Sequence, residues 1–382
     1  MITESWLKMA KSKFKYYDIN KIVKDYPKAY YYLIIGERSN GKTYSALSLA
    51  LKNYFEKGEQ FAYLRRFGED IRKKQLSNLF SGHVENGVID SLSNGEWSSV
   101  DYTGNKFRLA RANDDGAAEY SEEPIGFAFD LNSMEHYKSI SFPKITTVIF
   151  DEFLSRQSYL PNEFMLFTNS LSTIIRLRTN VKIFLLGNTV NKYCPYFGEM
   201  GLTHIKDQKQ GTIDVYKYSD TELEVVVEYC ESSSNRGGKK SDVYFAFDNP
   251  QLQMITTGAW EIAIYPHLPI DGYKPKDIIT QFFVDFDNEL LHGLVLAPPN
   301  ARPFIFFHMK TTEIKKDTDI VYGQHPDANP FHRVGIANYN DGLSKYIRKC
   351  VIENNVFYAT NEVGEIWRNY LIWAQNYSIK NK

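Results

Sequence analysis

Residues 36–43, Gly36-Glu37-Arg38-Ser39-Asn40-Gly41-Lys42-Thr43, match the pattern G-x-x-x-x-G-K-[S/T] without a mismatch. That spacing suits a polyphosphate. The glycines let backbone N–H groups turn inward onto phosphate oxygens, and a following helix N-terminus adds partial positive charge. Lys42 then reaches the β- and γ-phosphates, and the Thr43 hydroxyl suits a magnesium ion. Far along the chain, Ile145-Thr146-Thr147-Val148-Ile149-Phe150 runs into two adjacent carboxylates, Asp151 and Glu152. An acid at a strand tip suits a water-mediated contact to magnesium. The acid beside it suits a base that orients and polarises an attacking water. A simple phosphotransferase has no use for the second acid, because its acceptor takes the place of water.

These residues need a particular scaffold, and the flanking sequence supplies it. Tyr30 to Ile35 is aromatic and β-branched, the pattern of a buried strand. Ala46, Leu47, Ala50, Leu51 and Tyr54 repeat at the spacing of one helical face. The run before Asp151 is continuously apolar, as parallel strands covered on both faces are. A chance glycine-rich turn and a solvated acidic turn are the competing readings, and the strand–loop–helix context weighs against both. The expected fold is α/β: a P-loop NTPase of the class with an additional strand and a catalytic glutamate (ASCE), built on a mostly parallel central sheet. The expected activity is ATP hydrolysis with Mg2+.

The chain has 382 residues, 43% of them apolar and 15% aromatic, enough for two domains or one large one. With 45 basic and 46 acidic residues it carries no global excess of positive charge, so any nucleic-acid contact must be local. Cys194, Cys230 and Cys350 are odd in number, widely spaced and form no zinc pattern, which fits reduced thiols in a cytosolic setting. Residues 1–18 mix Lys8, Lys11, Lys13 and Lys15 with aromatics, unlike a secretory signal. No apolar run reaches the 18 residues that a membrane span requires.

Strand-like and helix-like segments alternate to about residue 190. Gln60–Leu64 is expected as a second strand, followed by Arg65 and Arg66. Ser81–Asn113, rich in Gly, Ser and Asn, is expected as short antiparallel strands and loops. Pro161–Ile175 is expected as a helix and Val181–Leu186 as a strand ending at Gly187-Asn188. Residues 232–240 read as a flexible basic loop with Lys239 and Lys240. Beyond Pro266, Ile278–Asp285, Leu290–Leu296 and Pro303–Met309 read as a meander and Trp367–Tyr377 as a C-terminal helix. The expected domains are 1–245, a linker over 246–272, and 273–382.

The stretches 36–43, 58–66, 147–153, Pro161-Asn162-Glu163 and Asn188 followed by Pro195-Tyr196-Phe197 resemble the DNA-packaging motor ATPases of phi29-like tailed bacteriophages, over roughly residues 30–200. The resemblance implies a nucleotide-binding set of Gly36, Arg38, Ser39, Asn40, Gly41, Lys42, Thr43 and Tyr44, with Thr43 and Asp151 on the metal. Arg38 would touch the γ-phosphate or restrain the catalytic acid, Glu152. Arg176 falls where the family has its trans-acting arginine finger, with Arg178 as the nearby competitor. Lys138 matches a second basic residue acting across a subunit boundary, and Asn188 a sensor of the γ-phosphate. The implied assembly is a homo-oligomeric ring, a pentamer, at the portal of a procapsid in the host cytoplasm. It moves double-stranded DNA, contacts a structural RNA in some members and involves no membrane. The smaller α+β C-terminal domain is implied to be a vestigial RNase H-type nuclease.

Plainer readings stand beside several of these. Arg176 is also a favourable cation at a helix C-terminus, and Asn188 an Asx turn after a strand. Arg72, Lys73 and Lys74, expected to contact DNA phosphates without sequence preference, also suit a solvated face, as do Lys239 and Lys240. Asp285 sits where an RNase H-type strand bears an acid, but Asp317, Asp319 and Glu353 form no recognisable partner set. The alternatives to a packaging motor are a terminase with a live nuclease and a non-motor, ATP-dependent DNA-binding assembly protein.

Overall fold

The structure is a computed structural model that describes residues 16–380, apart from 114, 157–158, 161, 220, 233–257, 261–262, 300, 311–312 and 316. The N-terminal lysines, Pro161, the Lys239–Lys240 loop and much of the expected linker lie outside the described residues. The chain separates into two compact units, Met1–Glu261 and Ile262–Lys382.

The first unit is a ten-stranded sheet. In chain order its strands are β1 (Tyr31–Gly36), β2 (Gln60–Arg65), β3 (Ser99–Thr103), β4 (Lys106–Ala112), β5 (Ala118–Tyr120), β6 (Gly126–Asp130), β7 (Ile145–Asp151), β8 (Lys182–Asn188), β9 (Thr212–Lys217) and β10 (Glu224–Tyr229). Their spatial order is β3-β4-β6-β2-β7-β8-β1-β10-β9, with β5 on β4. The run from β6 to β10 is parallel, and β3, β4, β5 and β9 are antiparallel additions at its margins. One strand, β8, separates the loop-bearing β1 from the acid-bearing β7.

The strand periodicity of two sends alternate residues to opposite faces, and both faces are covered. On one, Leu33, Ile35, Ala62, Leu64, Val148, Phe150, Ile183 and Leu185 pack with Phe167, Leu171 and Ile174 of the helix Glu163–Ile175. On the other, Tyr32, Ile34, Phe61, Tyr63, Ile149, Phe184 and Leu186 pack with Ala46, Leu47, Ala50 and Leu51 of the helix Lys42–Lys57. The latter are the residues whose spacing predicts that helix. Burying each of the Val, Leu, Ile and Phe side chains on these two faces stabilises the fold by about 1.5–3 kcal/mol. All seven residues of β7 are buried, which explains its unbroken apolar run.

One expectation needs correction. Ser81–Glu85 and Val88–Leu92 are short helices, and strands begin only at Ser99. His83, Val88 and Ile89 bury one side of these turns, a spacing that the polar residues between them obscure. Arg72 and the lysines after it lie at the start of the short helix Lys73–Leu76.

The second unit holds a six-stranded sheet in the order β15-β14-β11-β12-β13-β16. It comprises β11 (Ile278–Phe286), β12 (Glu289–Leu296), β13 (Phe304–Met309), β14 (Val321–Gly323), β15 (His332–Val334) and β16 (Val356–Tyr358). The expected meander is β11–β13, with the remaining strands added in parallel. The helix Asn361–Lys380 covers one face, Trp367 lying 4.4 Å from Phe307 and Tyr370 stacking beside it. Within the segment expected as a linker, Trp260 packs on Phe197 and Tyr229 of the first unit, whereas His267 bridges Tyr358 of the second.

A candidate phosphate-binding site at the carboxyl edge of the sheet

The loop after β1 turns on its glycines. A Cβ on Gly36 would stand 2.8 Å from the Cys230 Cβ, and Gly41 has φ +92°, which a side chain would strain. Gly41 opens the helix Lys42–Lys57 and, lacking a side chain, caps none of its N–H groups; Lys42 N donates to Asn40 Oδ1 at 3.2 Å, and a helix start of this kind is where an anion binds. The buried Lys42 ammonium donates to Glu37 O at 2.8 Å, Asn40 Oδ1 at 3.1 Å, Gly36 O at 3.3 Å and Asn188 Oδ1 at 3.3 Å. Asn188 reaches it because Gly36 and Asn188 are register partners at the ends of β1 and β8.

Asp151 meets the loop from across β8. The Thr43 hydroxyl donates to its carboxylate at 3.1–3.2 Å, the Tyr63 hydroxyl donates to Oδ2 at 2.8 Å, and Glu152 N donates to Oδ1 at 3.0 Å. Burial, then the charge on Asp151, raises the Tyr63 hydroxyl well above its ordinary pKa, so it stays a donor. Glu152 is exposed, and its Oε2 accepts from Arg65 Nη2 at 2.6 Å. Burial alone would lower the Arg65 guanidinium; Tyr63, Glu152 and Asp151 outweigh it and raise it. Of the two contacts expected of Arg38, to a γ-phosphate or to Glu152, the one to Glu152 is made here by Arg65, while Arg38 is exposed.

Ser39, Asn40, Gly41, Lys42, Thr43, Tyr44, Asp151, Glu152, Leu186, Gly187 and Asn188 line one cleft of about 290 Å3. Tyr44 is stiffened from behind. Its ring stacks on His83 at 3.9 Å between centroids, and Asn86 donates to its hydroxyl at 3.2 Å. Burial pushes His83 down to about 4, so the ring is neutral at pH 7. A larger cleft of about 750 Å3 lies at the opposite edge of the sheet, between Tyr30, Asn53, Thr146 and Lys182. Open α/β sheets bind ligands at the carboxyl ends of their strands, which favours the smaller cleft.

Arg176 and Lys138 do not line that cleft. Arg176 follows the last turn of the helix Glu163–Ile175, and its guanidinium donates to Ile140 O at 3.1 Å, which brings it to the segment that carries Lys138. Arg72, Lys73 and Lys74 are exposed. Arg72 pairs with Glu69 at 3.1 Å, and Lys73 lies 3.2 Å from Thr103 Oγ1 and 4.0 Å from Asp101. Tyr63, and the roles of Arg65 and Arg66, were not read from the sequence; a tyrosine and two arginines ending an otherwise apolar strand were the available signal.

An open, mostly parallel sheet whose glycine-turned, lysine-bearing loop faces paired acids across one strand defines an α/β protein with a candidate phosphate-binding loop. Residues 9–239 match the podovirus DNA encapsidation protein (Gp16) family, and the chain belongs to that family. It is 31% identical to the DNA packaging protein of Bacillus phage B103 over 172 residues, 44% of this chain and 47% of that protein. It is 30% identical to the DNA packaging protein of Bacillus phage phi29 over 167 residues, 43% of this chain and 44% of that protein. The matched stretch spans about half the length of these relatives. Among solved structures, the bacteriophage Phi-29 viral genome packaging motor assembly shares the fold at a TM-score of 0.55 and 19% identity, over 94% of this chain and 99% of that one. The Phi-28 gp11 DNA packaging motor does so at 0.53 and 20%, over 94% and 98%.

Proposed function

We propose that this chain is the ATP-hydrolysing subunit of a viral genome-packaging motor, an ASCE P-loop ATPase that drives double-stranded DNA through a portal into a procapsid. The carrying observation is one cleft that gathers Lys42, Thr43, Asp151, Glu152 and Asn188 in a chain of a DNA encapsidation family. The donors fit magnesium, a hard cation bound by one or two carboxylates together with substrate phosphates: the Thr43 hydroxyl and Asp151 carboxylate already face each other. Bound there, the ion supplies charge neutralisation at the β- and γ-phosphates. Lys42 exchanges its carbonyl partners for phosphate oxygens, Asn188 follows it, and Glu152, released from Arg65, polarises the attacking water. The Glu152 end of the pair is 58% exposed against 18% for Arg65, so water can replace the contact on the glutamate as it is released.

The reading extends to a ring of copies, a pentamer, that docks transiently on the procapsid in the host cytoplasm. Arg176 and Lys138 serve the neighbouring subunit's site, and a structural RNA is a further partner in this reading. No described helix is long and apolar enough to cross a membrane. The second unit is read as a vestigial RNase H-type domain that docks or guides. Two-metal cleavage needs converging carboxylates. Asp285 on β11 is exposed, and among the described residues no group of three or more His, Cys, Asp and Glu side chains is placed to hold an ion.

The test is ATP turnover with and without double-stranded DNA. DNA-stimulated turnover is expected in the wild-type chain. Lys42→Ala is expected to abolish both turnover and binding of a fluorescent ATP analogue, because the phosphates lose their main cation. Turnover that ignores DNA, or survives Lys42→Ala, overturns the reading. Neutralising Arg72, Lys73 and Lys74 together is expected to weaken DNA-stimulated turnover for every sequence alike, spare basal turnover and flatten the salt dependence of DNA binding. An unchanged salt slope would leave these residues as the solvated face that their pairing with Glu69 and Asp101 suggests.

A further inference from the structure

Arg66 directly follows β2 and is 6% exposed. Its guanidinium is shared by two segments far apart in sequence. Nε and Nη2 donate to the two carboxylate oxygens of Glu163 at 2.7 and 2.9 Å. Nη2 also donates to Phe153 O at 2.6 Å, and Nη1 to Glu152 O at 3.2 Å. Glu163 is enclosed in turn by the Tyr196 hydroxyl at 3.1 Å and Leu160 N at 2.7 Å. The guanidinium carbon lies 4.9 Å from the centre of the Tyr159 ring.

The adjacent arginines therefore grip one residue in different ways. Arg65 holds the Glu152 carboxylate in a pair whose glutamate side chain is 58% exposed, and such pairs open readily. Arg66 holds the Glu152 backbone through a pair whose side chains are 7% and 0% exposed. Opening that pair would strand a charge out of water, which is costly. Glu152 itself has φ +58°. A residue with a side chain keeps this left-handed conformation only where its surroundings over-determine it. Here Arg66 fixes its carbonyl and the next one, Asp151 accepts from its N–H, and Phe153 N donates to Leu186 O.

We infer that Arg66, braced by Glu163, is a positioning residue that locks the backbone of Glu152, so that the carboxylate swings from a fixed origin. The brace sits in the first turn of the helix that Arg176 follows, so the base and Arg176 are referenced to one rigid part. This inference rests on the hydrolase reading above.

Arg66→Lys tests it. Lysine keeps the positive charge opposite Glu163, but its three donors radiate from one atom and cannot reproduce the planar fork that spans both carboxylate oxygens and the two carbonyls. The expected result is a kcat loss of about 10- to 100-fold, the scale of a small misplacement of a catalytic group. ATP affinity, read with a fluorescent analogue, should stay within about twofold, because the lost contact acts on the reaction and not on ground-state binding. In a Glu152→Gln background the same change should lower the residual rate by less than about twofold, since no base remains to be positioned. Glu163→Gln, which removes the bracing charge and keeps its shape, should show the same pattern more weakly. An unchanged kcat, a parallel fall in ATP affinity, an equal fractional loss in both backgrounds, or failure of both variants to fold overturns the inference; the last would make the pair a folding element. If Glu152→Gln itself turns over like the wild type, it is the hydrolase reading that falls, and the two failures are told apart.

Discussion

Glu152→Gln is expected to leave ATP bound and to lower its hydrolysis by about 10²–10⁴-fold, the usual contribution of a positioned general base. The amide keeps the size of the carboxylate and occupies the same exposed position, so the cleft and its Lys42 cation are untouched. It cannot take up or polarise a proton, so only the step that needs a base is lost. Because Glu152 makes its one side-chain ion pair at the surface, the substitution should cost little stability, and a fall in the unfolding temperature would not explain the lost rate. Equilibrium binding of a fluorescent ATP analogue together with single-turnover hydrolysis separates the two effects. Turnover near the wild-type rate would remove Glu152 from the mechanism and move attention to other groups in the cleft.

The contrast between Glu152 and its neighbours shows which parts of this site were legible in the sequence. The phosphate loop and the acid pair could be read because each is continuous: adjacent residues carry the chemistry, and a buried strand or amphipathic helix next to them fixes their place. The additional strand was implied by the second acid and is seen as β8 between β1 and β7. Asn188 was placed by its position at a strand end, and parallel register delivers it beside Gly36. What was not legible depends on strand order. Tyr63 and Arg65 are two residues apart, hence on one face of β2, but only the pairing of β2 with β7 sets them against Asp151 and Glu152. Before that pairing is known, Tyr63 is one more aromatic in an apolar run. The Arg66–Glu163 pair joins residues 97 positions apart, a separation that no local pattern encodes. The helical turns at Ser81–Leu92 were missed for a local reason: their polar residues read as loop, and burial of His83, Val88 and Ile89 overrides that propensity.

Arg176→Ala is expected to lower ATP turnover by about 10³–10⁵-fold, the effect of losing an arginine that stabilises charge on a transferring phosphoryl group. The geometry distinguishes Arg176 from its competitor. Arg178 donates to five backbone carbonyls, those of Phe142, Pro143, Ile145, Ile174 and Ile175, at 2.5–3.1 Å. It closes the end of the helix against residues 142–145, which lead into β7, and has no donor to spare for a phosphate. Arg176 makes one such bond, to Ile140 O, and stands between apolar side chains that face water in the isolated chain, Leu177 at 101% exposure and Ile140 at 47%. It is absent from the lining of its own cleft, so if it acts on phosphate, it acts on that of a neighbouring copy. This sets the decisive measurement. Arg176→Ala chains and Lys42→Ala chains should each be inactive alone. Mixed, they should regain turnover, because some interfaces then pair an intact loop with an intact arginine. The recovered rate should peak at intermediate ratios and vanish at either extreme. Rings shown to contain both variants but lacking turnover at every ratio would make the effect internal to one chain and return Arg176 to the role of a cation at a helix end.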